Sequence, residues 1–227
     1  MNMNSKFIAV ITGDIIGSTR YDLETREKFR TNLNSPISTA LINFYSRAVI
    51  PQAINVFRGD SWQVVIAEPS LSLRISLLIR CLLRTSLLSN SINSRMAIGI
   101  GAVEGPLKNI RNGDGEAFIL SGKELDELTD SRFSLSMRIS GSYKFTSDCE
   151  KLLRNNVQLI DFISSNWTFK QCKAVEGMLL NKTTQEIAQD WFGNEINRSA
   201  VSRHLNKAGW DVISKSLDLF EQLLIPR

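Results

Sequence analysis

The order of β-rich and helical segments is the feature that most constrains this fold. Apolar and β-branched residues at 6–12 predict a buried strand, and helical and strand patterns then alternate as far as residue 140. The order β-α-β-β-α-β-α-β is the split β-α-β arrangement of a ferredoxin-like domain with additions. Beyond residue 146 only helical patterns remain. We therefore predict an α+β chain, with a ferredoxin-like, palm-type domain at 1–146 and an all-α domain at 147–227.

Helix-breaking and turn residues locate the helices and strands of the first domain. A helix is expected over 22–33, and Asn34-Ser35-Pro36 predicts a break before helical spacing resumes at 37–49. Two β-rich runs, 53–57 and 62–67, flank a short Gly-Asp turn, which predicts a hairpin. A leucine-rich helix is expected over 70–89. Three arginines interrupt its longest apolar run, which favours an amphipathic core helix over a membrane span.

Composition limits the classes of protein to consider. With 43% hydrophobic and 22% charged residues among 227, the chain is typical of soluble globular proteins and long enough to bury a core. A net charge of +4 permits nucleic-acid binding without requiring it. Three widely spaced cysteines suggest neither a zinc site nor a disulfide framework, and the apolar run before Asp14 is too short for a signal peptide. We expect a cytoplasmic protein with no membrane partner.

Two carboxylates stand beside glycines at predicted strand ends. Asp14 follows the first strand, and Asp60 lies in the hairpin turn 46 residues later. Because the first strand and the central hairpin are neighbours in a ferredoxin-like sheet, the two carboxylates could meet and share a cation. Hard oxygen ligands beside a triphosphate suit Mg²⁺ or Mn²⁺, although Asp beside Gly is also common in ordinary turns.

The residues after Asp14 are small and polar. Gly13 and Gly17 would let the main chain approach phosphates, and N–H groups of residues 15–19 could cradle them ahead of a helix. The candidate nucleotide contacts are Ile15, Ile16, Gly17, Ser18, Thr19 and Arg58. Asp114 and Glu116 are further candidates to line this site, with solvated loop charge as the alternative.

The segments "AVITGDIIGST" and "FRGDSWQVVI" resemble the metal-binding core of class III nucleotidyl cyclases, and the second is also similar to the hairpin of diguanylate cyclases. Over residues 6–210 the chain most closely resembles the SatD family, bacterial proteins with this core and a C-terminal helix-turn-helix. The resemblance implies Asp14, Ile15 and Asp60 as metal ligands. The cyclases place an Asn and an Arg on a late helix, where this chain offers Lys123 as a catalytic substitute. Their base-reading Lys is absent from 55–57, and Ser61 replaces the acid that follows the hairpin Asp in diguanylate cyclases.

Residues 181–210 predict a helix-turn-helix. Thr183 and Glu186 form a capping box, Asn197 can cap the second helix, and Gly209 ends it. Ala188 and Val201 are about three residues further apart than usual, so the turn is extended or its first helix runs on through Phe192. Inward positions of the second helix are Val201, Leu205 and Ala208. Outward positions, the candidate DNA contacts, are Arg198, Ser199, Ser202, Arg203, Asn206 and Lys207.

Three hypotheses follow. The favoured one is a DNA-binding transcription regulator, in which a nucleotide and metal bind the first domain and modulate the second. The second is an active nucleotidyl cyclase or nucleotidyltransferase using Asp14 and Asp60. The third is a structural adaptor in which both domains only bind proteins. A homodimer is compatible with the first two, because such cores pair and helix-turn-helix dimers read two half-sites.

Overall fold

The computed structural model of the protein describes residues 6–57, 60–86, 93–103, 115–145 and 147–225. Within them it is a mixed α+β fold with one five-stranded sheet. The strands are β1 (Lys6–Ile15), β2 (Asn55–Phe57), β3 (Ser61–Ile66), β4 (Ser94–Val103) and β5 (Leu135–Ile139). The α-helices are α1 (Leu23–Asn32), α2 (Ser38–Val49), α3 (Ser72–Ser86), α4 (Glu116–Thr129), α5 (Ser147–Ser164), α6 (Phe169–Leu179), α7 (Thr184–Gln189), α8 (Arg198–Ala208) and α9 (Trp210–Leu224).

The sheet is centred on β1. Its strand order is β2-β3-β1-β4-β5, with β1 antiparallel to both neighbours and β5 parallel to β4. Val10 pairs with Val65 on one side and with Gly99 on the other. The predicted hairpin and the predicted order of strands and helices are confirmed.

The two faces of β1 pack against different layers, because successive side chains of a strand point to opposite faces. Ala9 and Ile11 join the large core with α1 to α3 and the C-terminal helices. Ile8 and Val10 pack with residues of α4 in a smaller cluster. At Gly99 the α4 backbone is so close that an added Cβ would lie 2.3 Å from the carbonyl oxygen of Ala117. The α4 layer therefore covers the middle of the sheet at contact distance.

The predicted break at Asn34-Ser35-Pro36 is wrong. A π-helical turn, Leu33–Ile37, carries the chain from α1 directly into α2. Leu33 and Ile37 are buried in the core, and the Ser38 hydroxyl donates to the Leu33 carbonyl at 2.7 Å. A widened turn accommodates a proline that lacks an N–H group, so burial of its neighbours outweighs the local signal.

Helices after residue 146 pack on the sheet half of the chain. α5 lies along β5, and α6 lies along α3. Arg80 of α3 forms a buried salt bridge with Asp161 of α5 at 2.6 Å. The two predicted domains are therefore in contact, and the boundary near residue 146 stays a prediction.

Candidate functional site

The Asp14 carboxylate faces Arg95 across the β1–β4 pair. Asp14 is the next-to-last residue of β1 and lies opposite Arg95 in the register. Arg95 donates from Nε to Oδ1 at 2.9 Å and from Nη2 to Oδ2 at 2.8 Å, a two-pronged arrangement typical of strong arginine–carboxylate pairs. Each side chain keeps 20% of its surface exposed. The predicted metal ligand is thus neutralised by a cation that solvent can reach.

Asp60 lies in the hairpin turn beside the end of β1. Gly13 pairs with Trp62, so extending this register by one residue sets Ser61 opposite Asp14, and by two sets Asp60 opposite Ile15. The fold therefore brings the hairpin turn beside the end of β1. Successive positions of a regular strand point to opposite faces, so Asp14 and Asp60 could share a cation only through the turn conformation at Asp60. Arg58, the nucleotide contact predicted from the same turn, lies outside the described residues.

The segment after Asp14 leaves the sheet in two steps. Ile15 is buried in the core, so its main-chain carbonyl is the group that could ligate a metal. The N–H group of Ile16 donates to the carbonyl of Asn93 at 2.9 Å. This bond ties the candidate phosphate turn to the residue that precedes β4.

Gly17 then turns the chain with a left-handed φ of 67°, a conformation that favours glycine. Ser18 and Thr19 follow in a single 3₁₀ turn, Ser18–Arg20. The first N–H groups of such a turn have no partner within it, which makes them suitable donors to an anion.

Gly13 serves the core rather than a phosphate. The indole ring of Trp62 lies over it, and an added Cβ would be 2.5 Å from two ring atoms. The Trp62 Nε1 group donates to the Ser94 hydroxyl at 2.9 Å, and that hydroxyl donates to the Asp14 carbonyl at 2.7 Å. Gly13 therefore has a packing role, and its approach to a phosphate stays a prediction.

The predicted site residues Lys123 and Glu116 lie at different places along α4. Lys123 is exposed on α4, whereas Ser121 on the same helix is buried and bonded to Thr12 at 2.8 Å. The Glu116 carboxylate accepts from the Ala102 N–H at 3.3 Å and from the Ser140 hydroxyl at 2.7 Å. Ala102 is seven residues along β4 from the partner of Asp14, roughly 23 Å away at 3.3 Å per residue.

The expectation that Glu116 lines the Asp14 site is therefore wrong, because its helix begins at the opposite end of the sheet. Asp114, the other candidate from that loop, lies outside the described residues.

The oxygen atoms at this end of the sheet are of the type that a hard divalent cation prefers, but Arg95 occupies both carboxylate oxygens of Asp14. Carboxylate and carbonyl oxygens are what Mg²⁺ and Mn²⁺ prefer. No group of three or more His, Cys, Asp or Glu side chains able to hold a metal occurs among the described residues. A metal here would rely on Asp14 and Asp60, with Arg95 moved away and further oxygens supplied by a bound phosphate.

A polar cavity of about 380 Å³ opens on the same sheet face as Asp14. The amides of Asn55 and Gln63 and the ring of Phe118 line it. The Gln63 amide donates to the Thr12 hydroxyl at 2.8 Å, two residues before Asp14. Amide and aromatic groups beside a candidate metal ligand are suitable contacts for a base or sugar.

In the helical half, α8 presents a basic face to solvent. Val201, Leu205 and Ala208 are buried, as their spacing predicted. The opposite side carries the exposed predicted DNA contacts, with Ser202 half-buried: Arg198, Ser199, Arg203, Asn206 and Lys207. The helix contains three Lys or Arg residues and no Asp or Glu.

The ends of these helices follow the predicted capping chemistry. Thr183 and Glu186 form the capping box of α7. The Asn197 side chain accepts from the Ser199 N–H at 2.8 Å, and Gly209 ends α8 with a φ of 71°. Local sequence therefore fixes where α7 and α8 begin and where α8 ends.

The long connection between α7 and α8 contains a tight turn. Trp191 and Asn194 exchange main-chain hydrogen bonds of 2.8 and 3.0 Å. Phe192 and Gly193 have φ values of 52° and 78°, the two positive values of a type I′ hairpin turn. The turn is thus extended, and the alternative in which α7 continues through Phe192 is wrong.

The surroundings of His204 on α8 are partly buried and positively charged. Burial lowers its pKa, and the positive charges of Lys170, Arg203 and Lys207 lower it further. Its ring stacks on Trp191 with centroids 5.4 Å apart. Three cations therefore lie near His204, although residues 150–227 are nearly neutral overall, with ten Lys or Arg and nine Asp or Glu.

Arg84 of α3 joins the two candidate sites and was missed from the sequence. It donates to the Asn93 side chain at 2.9 Å and to the Trp167 carbonyl at 2.6 Å. Asn93 accepts from Ile16, and Trp167 Nε1 donates to the Ala208 carbonyl at the end of α8 at 2.8 Å. We name this series of bonds the Arg84 path. Its one sequence signal is an arginine within an apolar helix, which marks a polar partner without identifying it.

Comparison of the chain with family models, curated proteins and solved structures gives no match. The likeness to the SatD family and to nucleotidyl cyclases therefore rests on the residues quoted above. Among the described helices, none combines the length and apolarity needed to cross a lipid bilayer.

Proposed function

We propose that the protein is a cytoplasmic, SatD-like DNA-binding regulator, in which nucleotide and Mg²⁺ or Mn²⁺ bound at the Asp14 end of the sheet modulate α8. The observation that carries this proposal is the exposed face of α8. Three cations and no acid line it. Burial lowers the pKa of His204, and the charges of Arg203 and Lys207 on this helix lower it further. Such a face attracts the phosphate backbone, and the side chains on it can then read bases.

The packing of α6, α7 and α8 supports a helix-turn-helix. α8 contacts both earlier helices through its buried side, which leaves the other side free to enter a major groove. Arg203 and Asn206 have the groups that read guanine and adenine edges, respectively. Ser199 and Lys207 are suitable phosphate contacts.

The strand order supports a ferredoxin-like, cyclase-like nucleotide domain. β2-β3-β1-β4 is the order expected for it, and both flanks of β1 are antiparallel. On this proposal a divalent cation bound by Asp14 and Asp60 displaces Arg95. The released guanidinium then pairs with a phosphate of the nucleotide, for which its fork geometry is suited.

The Arg84 path supports coupling between the two sites. A nucleotide that moves the Ile16–Gly17 turn changes the position of Asn93, and Arg84 connects Asn93 to the residue that holds the end of α8. Coupling requires the ligand to favour one arrangement of this path over another.

DNA binding is tested by selecting sites from a random duplex pool with the full chain and measuring affinity by fluorescence anisotropy. Arg203→Ala is expected to weaken the selected site about tenfold, since base contacts are worth roughly 1–3 kcal/mol. Lys28→Ala removes the same charge from an exposed position on α1 and serves as the matched control. Equal affinity for wild type, Arg203→Ala and Lys28→Ala would contradict a reading role for α8.

Nucleotide binding and coupling need a second experiment. We expect nucleoside triphosphates with Mn²⁺ to raise the Tm of wild type and not that of Asp60→Ala, and to change the affinity for DNA. Trp167→Phe keeps most of the ring but removes the donor to Ala208, so each ligand should still bind while the coupling is lost. Unchanged coupling in Trp167→Phe would exclude the Arg84 path, and pyrophosphate release would assign catalysis instead of regulation.

A further inference from the structure

Helices α5 and α9 lie side by side and run in opposite directions. Ile163, near the end of α5, lies 3.6 Å from where a Cβ on Gly209 would be, immediately before α9. At the other end, the Tyr143 hydroxyl, four residues before α5, donates to the carbonyl of Leu224 at 2.9 Å. Both helices therefore share one outer surface along their length.

Each helix carries two apolar stripes, one inside and one outside. The inner stripe of α5 includes Leu153, Val157 and Ile160, all buried. The outer stripe begins one residue earlier, at Leu152, and its four positions follow the i, i+4, i+7, i+11 spacing. These positions are Leu152, Asn156, Leu159 and Ile163.

Helix α9 repeats the arrangement with the same offset. Its inner stripe is Ile213, Leu217, Phe220 and Leu224. Its outer stripe is Val212, Ser216, Leu219 and Leu223. This spacing is that of the a and d positions through which helices pack knobs into holes.

The outer stripes are exposed. Leu152 is 71%, Leu159 58%, Val212 60% and Leu219 53% accessible to solvent. The groove between them has a volume of about 380 Å³. Two helices of this length present a face of about 25 by 20 Å, the same order as the ~800 Å² that each partner contributes to a standard interface. A face of this size is comparable to the largest patch on a typical monomer, and such patches are often functional.

The chemistry of the groove favours a second copy of this chain. Every residue that lines it is uncharged, so a twofold axis could bring the surface against itself without opposing like charges. Asn156 and Ser216 occupy the same position of the two stripes, and one polar residue at such a position fixes the register of a helical pair. The longest undescribed segment, 104–114, carries only Leu107 and Ile110 as large aliphatic residues, too few to cover both stripes.

We propose that the outer stripes of α5 and α9 form an isologous interface between two copies of this chain, closing a four-helix layer. This interface is separate from the proposed nucleotide and DNA sites, because neither Asp14 nor the exposed face of α8 lines the groove. The proposed interface can therefore be tested independently of the nucleotide and DNA sites.

Sedimentation equilibrium of the full chain tests the interface. Wild type is expected at twice the monomer mass of 25.5 kDa. Leu159→Asp combined with Leu219→Asp should weaken self-association on the order of 100-fold, because two exposed apolar contacts become like charges facing each other. Leu23→Asp on α1, where Leu23 is 74% exposed, is the matched control and should remain dimeric.

Circular dichroism verifies that the variants stay folded, as expected for exposed positions. Asn156→Leu adds a second readout, since removing the polar position should tighten association or raise the number of copies. Loss of the dimer in the double variant with retention in Leu23→Asp supports the interface. A monomeric wild type, or a double variant that sediments like wild type, overturns it. Protection of the groove from hydrogen exchange in a monomeric wild type would instead assign it to a segment of the same chain.

Discussion

Two arginine–aspartate pairs of the same chemistry lie in different surroundings in this protein. Arg80 and Asp161 are 3% and 2% exposed, whereas Arg95 and Asp14 are each 20% exposed. Asp161 also accepts bonds from the main-chain N–H of Ser134 at 2.6 Å and from its hydroxyl at 2.8 Å. Within the described part of the chain, the Asp14 carboxylate accepts hydrogen bonds from Arg95 and from no other residue.

The difference separates a structural pair from one that can open. Removing either partner of the buried pair would leave a charge in the interior with several unmatched hydrogen bonds. At Asp14 a cation could replace Arg95, because the released guanidinium can reach water. Pairing with arginine therefore does not exclude metal binding at Asp14, but it makes the metal compete with an internal cation.

The largest expected effect is on the buried pair. Asp161→Ala should lower the free energy of unfolding by about 3–5 kcal/mol, because Arg80 remains buried without a counter-ion. Asp14→Ala should cost about 1 kcal/mol, since Arg95 can turn to solvent. Urea unfolding followed by circular dichroism measures both.

The double variant Arg80→Met with Asp161→Leu is the control for this explanation. Replacing both charges by apolar groups should recover part of the stability lost in Asp161→Ala, because no unpaired charge remains. Equal losses in Asp161→Ala and Asp14→Ala would mean that exposure does not distinguish the two pairs.

The sequence was sufficient where local chemistry decides the structure. The hairpin around Asp60, the capping box at Thr183 and the end of α8 at Gly209 were predicted because each depends on residues close in sequence. The inward face of α8 followed from helical spacing in the same way.

What the sequence did not predict depends on partners distant in the chain. The pairing of Arg95 with Asp14 requires the β1–β4 register, which no local pattern specifies. Glu116 was misplaced because a carboxylate near glycines gives no indication of which end of the sheet it occupies. Pro36 failed to break the helix because the burial of Leu33 and Ile37 overrides a local signal.

Gly13 provides a second, smaller test of the Asp14 end of the sheet. Gly13→Ala places a Cβ 2.5 Å from the Trp62 ring, so it should cost about 1–3 kcal/mol of stability through overpacking. Gly122→Ala on α4 has no atom within 4 Å of the new Cβ and should instead stabilise the protein by roughly 0.5–1 kcal/mol. Urea unfolding measures the stability of both variants. A Gly13→Ala variant with the same free energy of unfolding as wild type would refute the packing role.

Arg95→Gln tests whether the exposed pair can open. Removing the competing cation should raise the affinity of Asp14 for Mn²⁺ by about tenfold, equivalent to roughly 1.4 kcal/mol. Isothermal titration calorimetry measures this, with Arg30→Gln on α1 as a charge-matched control. Weaker Mn²⁺ binding in Arg95→Gln than in Arg30→Gln would show that Arg95 supports the metal site rather than competing for it.

His204 is the opposite case to both pairs, a titratable group whose neighbours are cations. Burial and the charges of Lys170, Arg203 and Lys207 lower its pKa below the unfolded value of about 6.5. The neutral form is thus favoured by folding, so stability should be complete above pH ~6.5 and fall as the unfolded state takes up a proton at lower pH.

His204→Gln should remove this part of the pH dependence, measured as the difference in unfolding free energy between pH 7.5 and pH 5.5 for the two proteins. The effect should be the smallest of the four because the ring is close to solvent. An unchanged pH slope in His204→Gln would mean that neither burial nor the neighbouring cations shift this pKa, and it would remove that support for a positive field on α8.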